Sequence, residues 1–321
     1  MSRILITGSK GVVGSFLTKI LTERGHSVFG IGRHHATGEV GWEHPMANTD
    51  FSYSRCDVSD FRQLERVFEK AGPFDYVYHT AAEFGRWNGE DFYEQVWRIN
   101  AIGTKNIIRL QEKYKFKLIH FSSSEVYGDY EGVMKEDVMD NVEIKQLNDY
   151  AMSKWVNEMQ IRNSAIQHGT ETVVVRLFNT YGPGEWYHPY RSVNAKFCYH
   201  ALHGLPITVY RGHYRTSTYL EDTCRTLANI VDNFKPGEAY NIGGTEYHDI
   251  ETLANLIWKY TGADPKLITY QESEILTTKS KRLDVSKAER DLNHKLTVTL
   301  EEGVKRTIDW MREYYGIKVN A

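Results

Sequence analysis

The chain has 321 residues, 41% of them hydrophobic and 25% charged, with a net charge of −3. That length permits one large or two coupled domains with a sizeable core, and the charge balance gives no global basic field for nucleic acid. No apolar run approaches the roughly 20 residues of a membrane span, and Cys56, Cys198 and Cys224 lack disulfide or metal spacing, so neither a membrane nor a metal is expected.

With a first strand already at Arg3, the expectation is a cytoplasmic protein with reduced thiols. Arg3–Thr7 reads as that strand, Gly8-Ser-Lys-Gly11-Val12-Val13-Gly14 follows it, and a helical pattern (Phe16, Leu17, Ile20, Leu21) runs on to Gly25. Strand, glycine loop and helix together make a dinucleotide site. The first glycine permits the turn, the second admits the pyrophosphate to the backbone, and the third lets helix pack on strand. Gly8, Gly11, Val12, Val13 and Gly14 are therefore cofactor candidates. A second strand spans His26–Gly32, and where a carboxylate for the ribose hydroxyls is common, this chain has Gly32 and then Arg33, His34 and His35. An arginine pairs with a 2′-phosphate, which tilts the expectation towards NADP over NAD. Ala36–Ser54 is polar and irregular and is assigned no function.

A third strand ends at Cys56-Asp57-Val58, residues 61–70 are expected as a helix, and a fourth strand from Phe74 runs into Ala81 and Ala82, small enough for a cofactor to lie close. Glu83 and Arg86 stand in the following loop, in reach of a sugar, with a plain surface position the other reading of Arg86. A long helix is expected from Arg98, and Lys117–Phe121 is an apolar strand that delivers Ser122, Ser123, Ser124 and Glu125 to its carboxyl end, where open parallel sheets place ligands. Tyr150 and Lys154, four apart, share one helix face. A lysine cation favours the phenolate of a neighbouring tyrosine and makes it a usable base, while a strand serine holds the same substrate oxygen. That equipment takes a proton from an alcohol as hydride leaves its carbon.

These motifs, in this order, resemble the extended short-chain dehydrogenase/reductases, specifically the nucleotide-sugar epimerase/dehydratase group, from Ile4 to about Met311. The GxxGxxG spacing of Gly8, Gly11 and Gly14 is that group's version. The pattern Arg176-x-x-Asn179-x-Tyr181-Gly182-Pro183 is specific to it. The resemblance implies an α/β protein: a Rossmann-type doubly wound parallel sheet over residues 1–178, and a smaller α/β nucleotide-sugar domain over 179–321, with segments near 212–242 returning to the sheet. It implies that Asp57 and Val58 meet the adenine, that Asn100 supports the active-site backbone, and that Asn179 contacts substrate. It places Tyr210 beside the nucleotide base and Arg215 and Arg282 on the diphosphate. The aromatic and basic stretch Trp186–Arg191 departs from the group's pattern and reads as a specificity feature. The group commonly forms homodimers through two long helices, here about 91–113 and 150–168.

In such enzymes Tyr150 and Ser123 serve oxidation at C4, and the next two residues decide the outcome. A 4-ketone acidifies the C5 proton, which Glu125 is placed to remove, with Ser124 relaying a proton or orienting the leaving oxygen. Glu125 therefore favours a nucleotide-sugar 4,6-dehydratase, with a UDP-glucuronate decarboxylase or a 4-epimerase as alternatives. A non-catalytic NAD(P)-binding sensor or scaffold is the reading from another class, and the presence of serine, tyrosine and lysine together argues against it.

Overall fold

The computed structural model describes residues 1–34 and 52–318; most of the polar stretch Ala36–Ser54 lies outside the described residues. Seven short strands form the large sheet, all but the polar edge strand β3 mainly apolar: β1 (Arg3–Thr7), β2 (Ser27–Gly32), β3 (Ser52–Arg55), β4 (Tyr76–His79), β5 (Lys117–Ser123), β6 (Thr172–Leu177) and β7 (Ala239–Ile242). They pair in the order β7-β6-β5-β4-β1-β2-β3, every neighbour parallel. A parallel sheet needs cover on both faces, and the strands supply apolar side chains to both. Ile4, Ile6, Tyr78, Ile119 and Val175 pack on one side with Leu17 and Leu21 of α1 (Val12–Glu23). Leu5, Val77 and Leu118 pack on the other with α2 (Phe61–Ala71) and with Ile107 and Leu110 of α3 (Gly103–Tyr114). The strand order reverses between β1 and β4, and this switch point opens a crevice at the carboxyl ends.

The helix expected from Arg98 begins earlier. Residues Tyr93–Val96 are helical, Trp97–Ile102 form a π-helical turn, and α3 continues from it. The wider turn seats buried Asn100, whose amide donates to the Glu83 carbonyl and to Ser153 Oγ, both at 3.0 Å. Helix α4 (Asp149–His168) is started by Asn148, whose side chain accepts from the Ala151 amide at 2.7 Å.

After β6 the chain builds a second core from α5 (Val193–Leu202), α7 (Ile250–Thr261), α8 (Leu300–Tyr315) and the parallel pair Ile207–Tyr210 with Ile268–Gln271. Between α5 and α7, helix α6 (Leu220–Ala228) lies against α1, and β7 joins the large sheet. Val133–Met134, in the acidic loop after β5, pairs in parallel with Arg282–Leu283 from late in the chain. The three cysteines are buried free thiols. No described helix is long and apolar enough to cross a membrane, and among the described residues no His/Cys/Asp/Glu group is arranged to hold a metal ion.

Candidate active site

A cavity of about 580 Å³ runs along the carboxyl ends of the strands, from the glycine turn to the second core. At its cofactor end Gly8 takes φ +68°, and a Cβ on Gly14 would stand 2.2 Å from the Gly8 carbonyl oxygen, so turn and helix meet as closely as backbones allow. Gly11 begins α1 with no side-chain cap, which leaves the helix amides for an anion. A dinucleotide pyrophosphate fits this cradle.

Gly11, Val12, Val13, Arg33, Val58, Ala81 and Ala82 line the same end; Asp57 and Asn100 do not. The Asp57 carboxylate accepts from the Ser59 amide (2.9 Å) and hydroxyl (2.8 Å), which makes it the brace of the turn into α2. Asn100 acts through the Glu83 backbone, accepting from its amide at 2.9 Å. Glu83, expected on the substrate, does not line the cavity: its carboxylate pairs with Arg33 at 2.7 Å and accepts from Gln95 at 2.8 Å. A substrate candidate and a cofactor candidate thus hold each other.

The catalytic candidates converge. Ser122, Ser123, Ser124, Glu125, Tyr150 and Lys154 all line the cavity, and of the serines Ser122 is tied into the structure by donating to Glu158 at 2.5 Å. Ser123 lies close enough to the Tyr150 phenol to favour its ionised form. Lys154 Nζ donates to the Phe121 carbonyl at 2.8 Å and stands 6.0 Å from the Tyr150 ring centre. The expected lowering of the tyrosine pKa is reversed. Burial pushes the phenol up to about 12, with Ser123 pulling it down and the Glu125 charge adding to the rise. Burial also brings Lys154 down to about 8, against the opposing pull of Glu158. Desolvation outweighs a cation at that distance.

Glu125 is ion-paired with Lys281, whose side chain is 3% exposed. Burial raises the carboxyl's pKa, and the charges of Lys281, Arg86 and Arg215 more than offset this, so Glu125 lies below the usual carboxylate range. Arg86 lines the cavity and reaches both oxygens of Glu274 (3.1 and 3.2 Å). Arg215 lines it too, but its two terminal nitrogens donate to the carbonyls of Tyr214, Thr278 and Lys279 and to the Thr277 hydroxyl. Tyr210 and Asn179 are on the wall. Asn179 sits at φ +38°, a region asparagine tolerates, and donates to the Thr216 carbonyl at 2.9 Å.

Arg282 requires a correction. It is exposed and outside the cavity, while its neighbour Lys281 is the buried cation. In extended chain a one-residue shift turns a side chain to the opposite face, so a Lys-Arg pair leaves the choice open in sequence. His213, Glu274 and Arg191 also line the site. Arg191 lies 4.2 Å from the Phe84 ring centre and 4.7 Å from that of Trp186.

Residues 4–243 match the family model described as the NAD dependent epimerase/dehydratase family. The chain belongs to that family. Among its relatives, the UDP-N-acetyl-alpha-D-glucosaminuronate decarboxylase of Bacillus cytotoxicus is 29% identical, over 97% of this chain and 98% of the relative. The dTDP-glucose 4,6-dehydratase of Salmonella typhimurium is 26% identical, over 96% and 92%. Among solved structures, the UDP-glucose 4-epimerase of Thermotoga maritima, determined with UDP-glucose, superimposes with a TM-score of 0.86 at 25% identity, covering 98% of this chain and 99% of that one. The family is NAD(P)-dependent and acts on nucleotide sugars, and these three proteins are named for different reactions, a decarboxylation, a dehydration and an epimerisation.

Proposed function

We propose that this protein is an NAD(P)-dependent nucleotide-sugar 4,6-dehydratase. The observation that carries the reading is the presence of Glu125 on the same cavity wall as Ser123 and Tyr150. Residues Gly8–Gly14 hold the dinucleotide, which when bound accepts hydride from C4 of the sugar and returns it to C6. Tyr150 takes the 4-hydroxyl proton, and Ser123 holds that oxygen. Glu125 removes the C5 proton, and the C5–H electron pair moves towards the 4-keto oxygen. The C6–O bond then breaks, and the departing hydroxyl takes the proton from Glu125, with Ser124 orienting it, so that one water leaves. Solvent gives C5 a new proton and takes up the one Tyr150 holds, which completes a 4-keto-6-deoxy sugar with no net oxidation.

One observation favours a second reading. Arg86 and Arg215 line the cavity and act on Glu125, and two such cations suit a sugar with a carboxylate at C6. That substrate would lose carbon dioxide from the 4-keto intermediate. Incubation with UDP-, dTDP-, GDP- and CDP-sugars and UDP-glucuronate, followed by mass spectrometry, separates the readings. Loss of water is the expected result, and Glu125→Gln should stop it while C4 oxidation persists. Loss of carbon dioxide transfers the assignment to a decarboxylase. An unchanged mass with a new chromatographic peak means epimerisation and refutes the role given to Glu125.

A further inference from the structure

Lys281 reaches Glu125 from 156 positions along the chain. Glu125 lines the cavity and Lys281 does not, so the ammonium meets the carboxylate from behind, away from the space a sugar would fill. The segment that carries it is tied on two sides. On one, Arg215 holds the carbonyls of Thr278 and Lys279, both at 3.0 Å, and the Lys281 amide donates to the Tyr214 carbonyl at 3.1 Å. On the other, Arg282–Leu283 pairs with Val133–Met134, in the loop that leaves the Glu125 turn. A salt bridge that served only to join two lobes would not need a base from the cavity wall. Burying both charges is costly, and a buried pair adds little net stability compared with apolar side chains.

We propose that Lys281 is the positioning residue of this site, holding the Glu125 carboxylate at the cavity wall from a strand segment braced by Arg215. The inference rests on Glu125 being the C5 base. The charged and titratable groups that face Glu125 are Lys281, Arg86, Arg215 and Tyr150, with Glu274 bound to Arg86. Without Lys281, burial acts against two remaining arginines, and the carboxyl shifts towards its neutral form.

Infrared titration of the full chain reads this directly, with the Glu125 carboxylate band identified by subtraction of the Glu125→Gln spectrum and folding checked by circular dichroism. In Lys281→Met the Glu125 midpoint should rise by about one pH unit or more, while Lys281→Arg should keep it near the parent value. A Lys281→Met midpoint equal to the parent's overturns the proposal, and so does a shift that Lys281→Arg shares. The titration needs no substrate, so it stands or falls separately from the product panel, which tests Glu125 as the C5 base. With whichever probe of that panel is converted, the acidic limb of kcat should move up in Lys281→Met by the same amount. A uniform fall in kcat with the limb unmoved marks a purely structural lysine.

Discussion

Glu158 joins the stability of this fold to the chemistry of its site, and its removal should be costly in both. Arg176 on β6 is fully buried and Glu158 on α4 is 2% exposed at the side chain. The guanidinium meets the carboxylate twice, Nη2 to Oε2 at 2.7 Å and Nε to Oε1 at 3.1 Å. Ser122 adds a third bond to Glu158, and Arg176 Nη1 also donates to the Tyr127 hydroxyl and the Glu136 carbonyl, both at 2.9 Å. Glu158→Ala strands a buried guanidinium with only those last two partners, a loss of about 3–5 kcal/mol. Replacing both members, Glu158→Leu with Arg176→Met, leaves no buried charge and should lose less than the single change. Urea unfolding followed by two probes measures both, the second probe checking that the lobes unfold together. A single-variant loss under about 1 kcal/mol, or a double variant as unstable as the summed singles, refutes this account. Function adds a second sign. Burial lowers Lys154 to about 8 while Glu158 pulls it up. Glu158→Gln should therefore lower Lys154 further and move the alkaline limb of activity to lower pH.

Two other expectations concern cofactor choice and assembly. Because the exposed Arg33 is held by Glu83, Glu83→Gln should free it for a 2′-phosphate and tighten NADP about two- to fivefold, the worth of a surface ion pair, with NAD unchanged in a fluorescence titration; equal changes for both cofactors would remove Arg33 from the 2′-phosphate. On α4, Met152, Met159 and Ile166 recur at seven-residue spacing and are 36%, 41% and 83% exposed, the pattern of a helix seam. If that seam pairs two chains, light scattering at micromolar concentration should give twice the chain mass for the parent and the single mass for Met159→Glu, whereas identical masses would rule the seam out.

What was legible in the sequence was whatever local geometry decides. Three glycines between a strand and a helix can make only a few turns, and Tyr150 and Lys154 share a helix face wherever that helix packs. The doubly wound parallel sheet came from the family resemblance that these motifs carry, and the structure has it. Contacts between distant segments were less legible. Asp57 and Glu83 have the charge expected of ligand residues, but close neighbours take up their oxygens: Ser59 in one case, Arg33 and Gln95 in the other. Lys281 was hidden by the register of a two-residue strand, and its partner came from another part of the chain. The pKa of Tyr150 could not be read from spacing, because burial decides its direction and a linear pattern carries no burial.

The site's charges follow one arrangement that no single motif reveals. Each candidate proton-transfer group has a buried lysine beside it, Lys154 near Tyr150 and Lys281 on Glu125, and burial brings both lysines down to about 8. Each lysine also feels a carboxylate that pulls it back up, Glu158 for the first and Glu125 for the second. Apolar residues of similar size would pack there at less cost. Charges kept in this way are explained by what they do to their neighbours. The roles nevertheless differ, because Lys154 lines the cavity and Lys281 stands behind its wall. Lys154 can meet a bound ligand directly, whereas Lys281 acts only through Glu125. In the proposed dehydratase mechanism the first lysine therefore belongs to oxidation at C4, and the second to the step at C5.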